Sequence, residues 1–270
     1  MSIEFLNAIC IALTRIGSDV TLLILGTFTL SILQKLFIFN VTTIFGRNGI
    51  VITGVVGVTL HETSHFLMCM LFGVKVKSVK LFTPSSLAQL GYVQYSYNRN
   101  SLIQSVGHFF IGYAPFILSF VFIWSITLYL LGIDLLIVTL TQGEGGFYLW
   151  SELLHQIREQ IFSGAIWLFC FISVFLHMMP SEADLRGARM GEGALLIIII
   201  LTLLVEFFAL GHMNQVTLAV TQTLQLLTKF VVSFIVIVIA LNVAGCLFSV
   251  SVLGIRKWCG SKIVETTPQF

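Results

Sequence analysis

The chain has 270 residues, 57% hydrophobic and 10% charged, with a mean hydropathy of +1.00. That composition excludes an ordinary soluble domain, and a net charge of +2 from 14 Lys+Arg and 12 Asp+Glu, scattered along the chain, excludes a nucleic-acid binder. What is left is an all-α polytopic membrane protein whose charged residues sit in short loops.

Residues 1–19 lack the basic start and small-residue cleavage site of a signal peptide. They read as an interfacial helix, with Ile3, Phe5, Leu6, Ile9 and Leu13 on one side. A spanning helix needs about 20 mostly apolar residues. On that measure about six transmembrane helices are predicted, near 20–45, 50–72, 105–131, 163–179, 193–210 and 230–253. The first span and its loop occupy 20–49, the last two spans 191–254, and 255–270 form a tail. Lys75, Lys77, Lys80, Arg99, Arg186, Arg189, Arg256, Lys257 and Lys262, with Arg15, fall on one side, against Arg47 and Arg158 on the other. The excess marks the cytoplasm, so both N and C termini are predicted there.

Two connections carry more than a turn. Between the second and third spans, residues 73–100 hold "VKVKSVKLF" and "GYVQYSY", alternating or β-branched and aromatic runs parted by "TPSS" and Gly91. They predict a small β-hairpin at the membrane surface. Before the fourth span, Trp150, Leu153, Leu154, Ile157 and Ile161 recur at helical spacing, which predicts an amphipathic helix over 149–162 on the extracytoplasmic surface. The five cysteines have no CxxC spacing and read as small buried hydrophobes, Cys69 included. Lys35 and Glu206 both fall in the extracytoplasmic half of their spans, where they are expected to pair.

The chemistry is concentrated in "VTLHETSHFLMCM", residues 58–70. Residues four apart share a helix face, so His61 and His65 can hold one metal ion while Glu62 flanks the open coordination position. This HExxH pattern suits water activation, with the carboxylate as general base and then acid. A third protein ligand is required, and "HMMPSEADLRGA" at the cytoplasmic end of the fourth span offers Asp184, with Glu182 as its rival. Pro180 can break the helix and turn the residues after it toward His65, which lies about 10 Å below the same surface at helical rise.

In order, "HETSH", "GYAP" (Gly112 to Pro115) and "HMMPSEAD" lie on three successive spans. Over roughly residues 50–190 the chain resembles the site-2 protease family of intramembrane zinc metalloproteases. The chain departs from that family's pattern in carrying His177 where the family has Asn, and in placing Gly187 three residues after Asp184 rather than directly behind it. The resemblance implies Zn2+ held by His61, His65 and Asp184, with Glu62 as catalytic base. His177 or His108 would steady the oxyanion or support a ligand. It implies a membrane-protein substrate presented as an extended strand to an edge of the β segment, in a bacterial cytoplasmic membrane, by a minimal member with no PDZ or CBS domain. Two alternatives stand beside it: another membrane zinc hydrolase of prenyl-protein endopeptidase type, with Glu182 or Glu192 as third ligand, and an inactive client-binding subunit.

Overall fold

In hydrocarbon a backbone must satisfy its own hydrogen bonds, so long apolar stretches become helices. The computed structural model describes residues 3–84, 89–98, 100–134, 145–189, 191 and 193, and between 222 and 251 residues 222, 223, 225, 226, 228, 229, 231, 232, 234–247, 250 and 251. Helices α1 (Ile3–Phe45) and α2 (Arg47–Leu71) are separated by a one-residue turn at Gly46. After the strands β1 (Lys75–Lys80) and β2 (Tyr92–Ser96) come α3 (Leu102–Leu131), α4 (Gly145–Glu159) and α5 (Ile161–His177). A short helix α6 (Glu182–Arg189) and an apolar helix α7 (Phe234–Leu247) follow.

Three helices are long and apolar enough to cross a membrane: Ile24–Phe45 within α1, α2 and α3. Helices α5 and α6, bent by 63° at the break between them, make a fourth if taken as one broken span. The described residues thus give three or four spans against the six expected. Helix α7, within the predicted 230–253 span, is shorter than a spanning helix needs to be, and the predicted span at 193–210 lies outside the described residues beyond its first position. The predicted boundary at residue 19 is also absent, because α1 runs through it. Gly17, Ser18 and Asp19 include no proline, and a lone glycine weakens a helix without ending it. The predicted amphipathic helix begins earlier, at Gly145, and breaks at Gln160. Of its apolar stripe, Leu153 is buried and Leu154 and Ile161 are exposed. Lys35 is exposed, and Glu206, its expected partner, lies outside the described residues.

Helix α2 is central, packed against α3 on one side and α5 on the other, with α1 beside it. Its sequence permits this. Gly49, Thr53 and Gly57 recur every fourth residue and are buried, forming a small-residue face on which another helix can approach closely. At Gly57 a Cβ would run into the Ser173 carbonyl and the His177 ring of α5. A core of Phe37, Ile123, Trp167, Phe171, Phe175 and Phe234 closes the bundle, with Phe234 of α7 in ring contact with Phe120, Phe171 and Phe175.

The hairpin forms as the alternation predicts. Strands β1 and β2 pair antiparallel with Lys75 opposite Ser96 and Lys80 opposite Tyr92, with one irregularity between Val76 and Ser78. Val76, Tyr95 and Tyr97 pack on a small core of Cys69, Val74 and Ile111, which seats the hairpin on the adjoining ends of α2 and α3. Cys69 is therefore a packing residue of this seat.

Gly57→Val should overpack the α2–α5 contact and destabilise the protein by about 1–3 kcal/mol. Thermal unfolding in detergent measures this, with the exposed Val55→Ala as a control that leaves the midpoint unchanged.

Candidate metal centre

His61 and His65 point from one face of α2 into a cleft of about 470 Å³, whose walls include Glu62, Tyr92, Tyr95, Leu176 and Asp184. Each imidazole is held from behind by a backbone carbonyl: His61 Nδ1 lies 2.7 Å from the His177 oxygen, and His65 Nδ1 lies 2.8 Å from the Ile111 oxygen. A carbonyl only accepts, so both Nδ1 atoms carry the proton and donate it, which leaves both Nε2 lone pairs facing the cleft.

Both carbonyls are available for reasons written in the sequence. Ile111 would normally accept from the N–H of residue 115, but that residue is Pro115, inside α3, and it has none. His177 is the last residue of α5, where carbonyls have no partner further along the helix.

Asp184 reaches the same point from α6. Ser181 caps that helix: its Oγ accepts from the Asp184 N–H at 3.2 Å, and the Asp184 carboxylate accepts from the Ser181 N–H at 2.7 Å. This reciprocal capping box fixes the carboxylate in orientation. Gly112 makes room for it, since a Cβ there would stand 2.5 Å from the Asp184 carbonyl oxygen and 2.7 Å from the Ala188 methyl. The "GYAP" segment thus serves twice, with Pro115 freeing a carbonyl for His65 and Gly112 admitting the backbone of Asp184.

The three side chains converge. His65 Nε2 lies 3.2 Å from His61 Nε2 and 3.3 Å from Asp184 Oδ1, and His61 Nε2 lies 3.6 Å from Asp184 Oδ2. One donor atom from each of the three falls within 4.8 Å of the others, and this is the group of His, Cys, Asp or Glu among the described residues arranged to hold a metal ion. Two imidazole lone pairs and a carboxylate at such distances repel one another unless a proton or a metal cation lies between them. The donor set of two neutral imidazoles and one carboxylate fits a divalent metal with a further position open to the cleft.

The rival carboxylate is elsewhere. Glu182 is 93% exposed and makes a surface ion pair with Arg186 at 3.7 Å, and Glu192 lies outside the described residues. Glu62 is buried and lines the cleft beside both histidines. The backbone at Gly91 crosses directly over it, close enough that a Cβ there would come within 2.7 Å of Glu62 Cγ.

The two further histidines part company. His177 lines the cleft, but its ring Nε2 lies 3.3 Å from Thr53 Oγ1, whose own hydrogen is directed to the Gly49 carbonyl at 2.9 Å. The imidazole is thus engaged at Nε2 with Thr53 of α2. His177 also gives the site its backbone carbonyl, which accepts from His61. His108 is not among the residues that line the cleft: it is buried, and its ring is packed against Tyr95 and Tyr97.

Sequence reasoning missed Ser181, Thr53 and Tyr95. The Ser-x-x-Asp spacing of "SEAD" is a readable capping signal. Tyr95 enters only because the hairpin folds over the cleft, and its burial pushes the phenol up to about 12, so it remains an O–H donor at neutral pH. Comparison of the chain with protein-family models, with curated proteins and with solved structures found no match.

Purified wild-type protein should hold one divalent metal ion per chain. His61→Ala, His65→Ala and Asp184→Ala should each lose it, while Glu182→Ala keeps it, as elemental analysis after dialysis against a weak chelator will read.

Proposed function

We propose that this chain is an intramembrane zinc metalloendopeptidase of the site-2 protease type, cutting a transmembrane or membrane-adjacent protein near the cytoplasmic face. One observation carries the reading: two carbonyl-anchored imidazoles and a capped carboxylate converge at the edge of a buried glutamate, on a helix apolar enough to span a bilayer. Ionisable side chains at that depth are expensive unless they serve a site.

His61, His65 and Asp184 would hold the zinc. Bound there, Zn2+ supplies Lewis-acid chemistry, polarising a carbonyl and acidifying water near neutral pH. Glu62 takes the proton from the attacking water on its carboxylate and returns it to the leaving amine nitrogen. Val58, Leu176 and Met179, also on the cleft wall, limit the access of bulk water. A helical substrate has its peptide groups satisfied within itself, so it must unwind before its carbonyls can be attacked. Strand β2 supports that step: the cleft wall runs along residues 89–93 and Tyr95, and among the described residues β2 pairs with β1 only. A substrate segment added to the free edge of β2 would pass over Glu62 as an extended strand.

In this reading the chain has six spans with both termini in the cytoplasm of a bacterial cell, and the basic hairpin residues Lys75, Lys77 and Lys80 face the anionic inner leaflet. Single cysteines placed at residue 2, residue 47 and residue 268 should be blocked by a membrane-impermeant thiol reagent in intact cells only at residue 47. Labelling at either terminus would overturn the topology.

Glu62→Gln should keep its zinc and lose about 10²–10⁴ of the cleavage rate toward a tagged single-span substrate in proteoliposomes. Turnover at the wild-type rate by that variant would end the proposed mechanism.

A further inference from the structure

We propose that Gln34, on α1 and outside the cleft, is a positioning residue of the metal centre, holding the end of α5 so that the His177 carbonyl meets His61. The proposal rests on the metal-site reading above.

The last turn of α5 has carbonyls with no acceptor role left inside the helix. Leu176 would accept from residue 180, which is Pro180 and has no N–H. His177 would accept from the N–H of Ser181, but that group is committed to Asp184 Oδ2 at 2.7 Å. The turn cannot turn to water instead, since Phe175 is 1% exposed and Leu176 is 3% exposed. A buried carbonyl left unpaired here would be a substantial penalty.

Gln34 resolves two of these groups. Its Nε2 donates to the Phe175 oxygen at 3.1 Å and to the Leu176 oxygen at 2.9 Å, one amide hydrogen for each. The next carbonyl in sequence, that of His177, accepts from His61 Nδ1. Three successive carbonyls are thus held by two side chains, one from α1 and one a metal ligand from α2. Adjacent peptide planes cannot turn independently while the chain stays helical, so the orientation that Gln34 imposes at 175 and 176 is passed to 177 and to the imidazole bonded there. A glutamine in an apolar spanning helix is tolerated when it bonds in this way, and this one is 7% exposed.

Outer partners of metal-bound histidines typically govern metal affinity by 10–100-fold. Gln34 acts through one such partner, so Gln34→Met, which keeps the shape and removes both N–H donors, should weaken zinc binding about tenfold. It should also change the d–d spectrum of the Co2+-substituted protein. Thr127→Val is the control: it removes the 2.8 Å hydrogen bond from Trp167 to Thr127, a buried tie to α5 far from the α5 C-terminus. That variant should lose thermal stability and keep both the zinc affinity and the Co2+ spectrum of wild type. If Gln34→Met does not fold, Gln34→Glu carries the test, since a protonated carboxyl offers one donor where the amide has two, and its affinity should fall by less than tenfold but measurably. A folded Gln34→Met or Gln34→Glu protein with wild-type zinc affinity and Co2+ spectrum overturns the proposal, and so does an equal loss of affinity in Thr127→Val. Wild-type protein that holds no stoichiometric zinc would instead overturn the metal-site reading, and this inference with it.

Discussion

Two hydrogen bonds from imidazole Nδ1 to backbone carbonyls govern the arrangement of this molecule. Each sets a tautomer, and each ties α2 to a neighbour: His61 to the end of α5, and His65 to the interior of α3. In an apolar medium a carbonyl released from its own helix is a liability. Here the release is built in, once by Pro115 and once by the helix end ahead of Pro180, and the released groups become anchors. The small residues of α2 follow from the same constraint, because the rings reach these carbonyls only if the helices pack closely, as they do at Gly57.

The hairpin and the short helix α6 complete what the three long helices begin. Helix α6 needs its own start signal so soon after α5, and the Ser181–Asp184 capping box supplies it while aiming the carboxylate. The hairpin covers Glu62 through Gly91 and brings Tyr92 and Tyr95 to the cleft. Single residues thus serve twice: the Asp184 carboxylate caps α6 and faces the two imidazoles, and Pro115 interrupts the hydrogen bonding of α3 and so frees the Ile111 carbonyl for His65.

Much of the site was legible because side-chain identity and helical period carry it. His61, Glu62 and His65 announce themselves by spacing, and Asp184 by its place after Pro180 on a later span. The hairpin was legible from alternation in β1 and β2. The partners of His61 and His65 were not, because a carbonyl has no residue identity and only packing selects which one is met. The surroundings of His177 and His108 were not legible for a related reason: spacing shows that both lie near the right depth, but not that one ring is turned to Thr53 and the other is packed against tyrosines. Helix boundaries were read least well. Composition around Gly17 to Asp19 suggests a change of environment, yet contains nothing that stops a helix, and α1 continues through it.

The 63° break that sets α6 apart from α5 has a thermodynamic consequence. Two of the candidate donors come from one turn of α2 and the third from a separate helix, so a cation bound by all three would link residue 65 to residue 184. A cation that needs all three donors binds only the state in which α6 is docked, so by mass action it would favour that state over any in which α6 has come away. An ion there would fasten the short helix that carries the carboxylate to the helix that carries the two histidines.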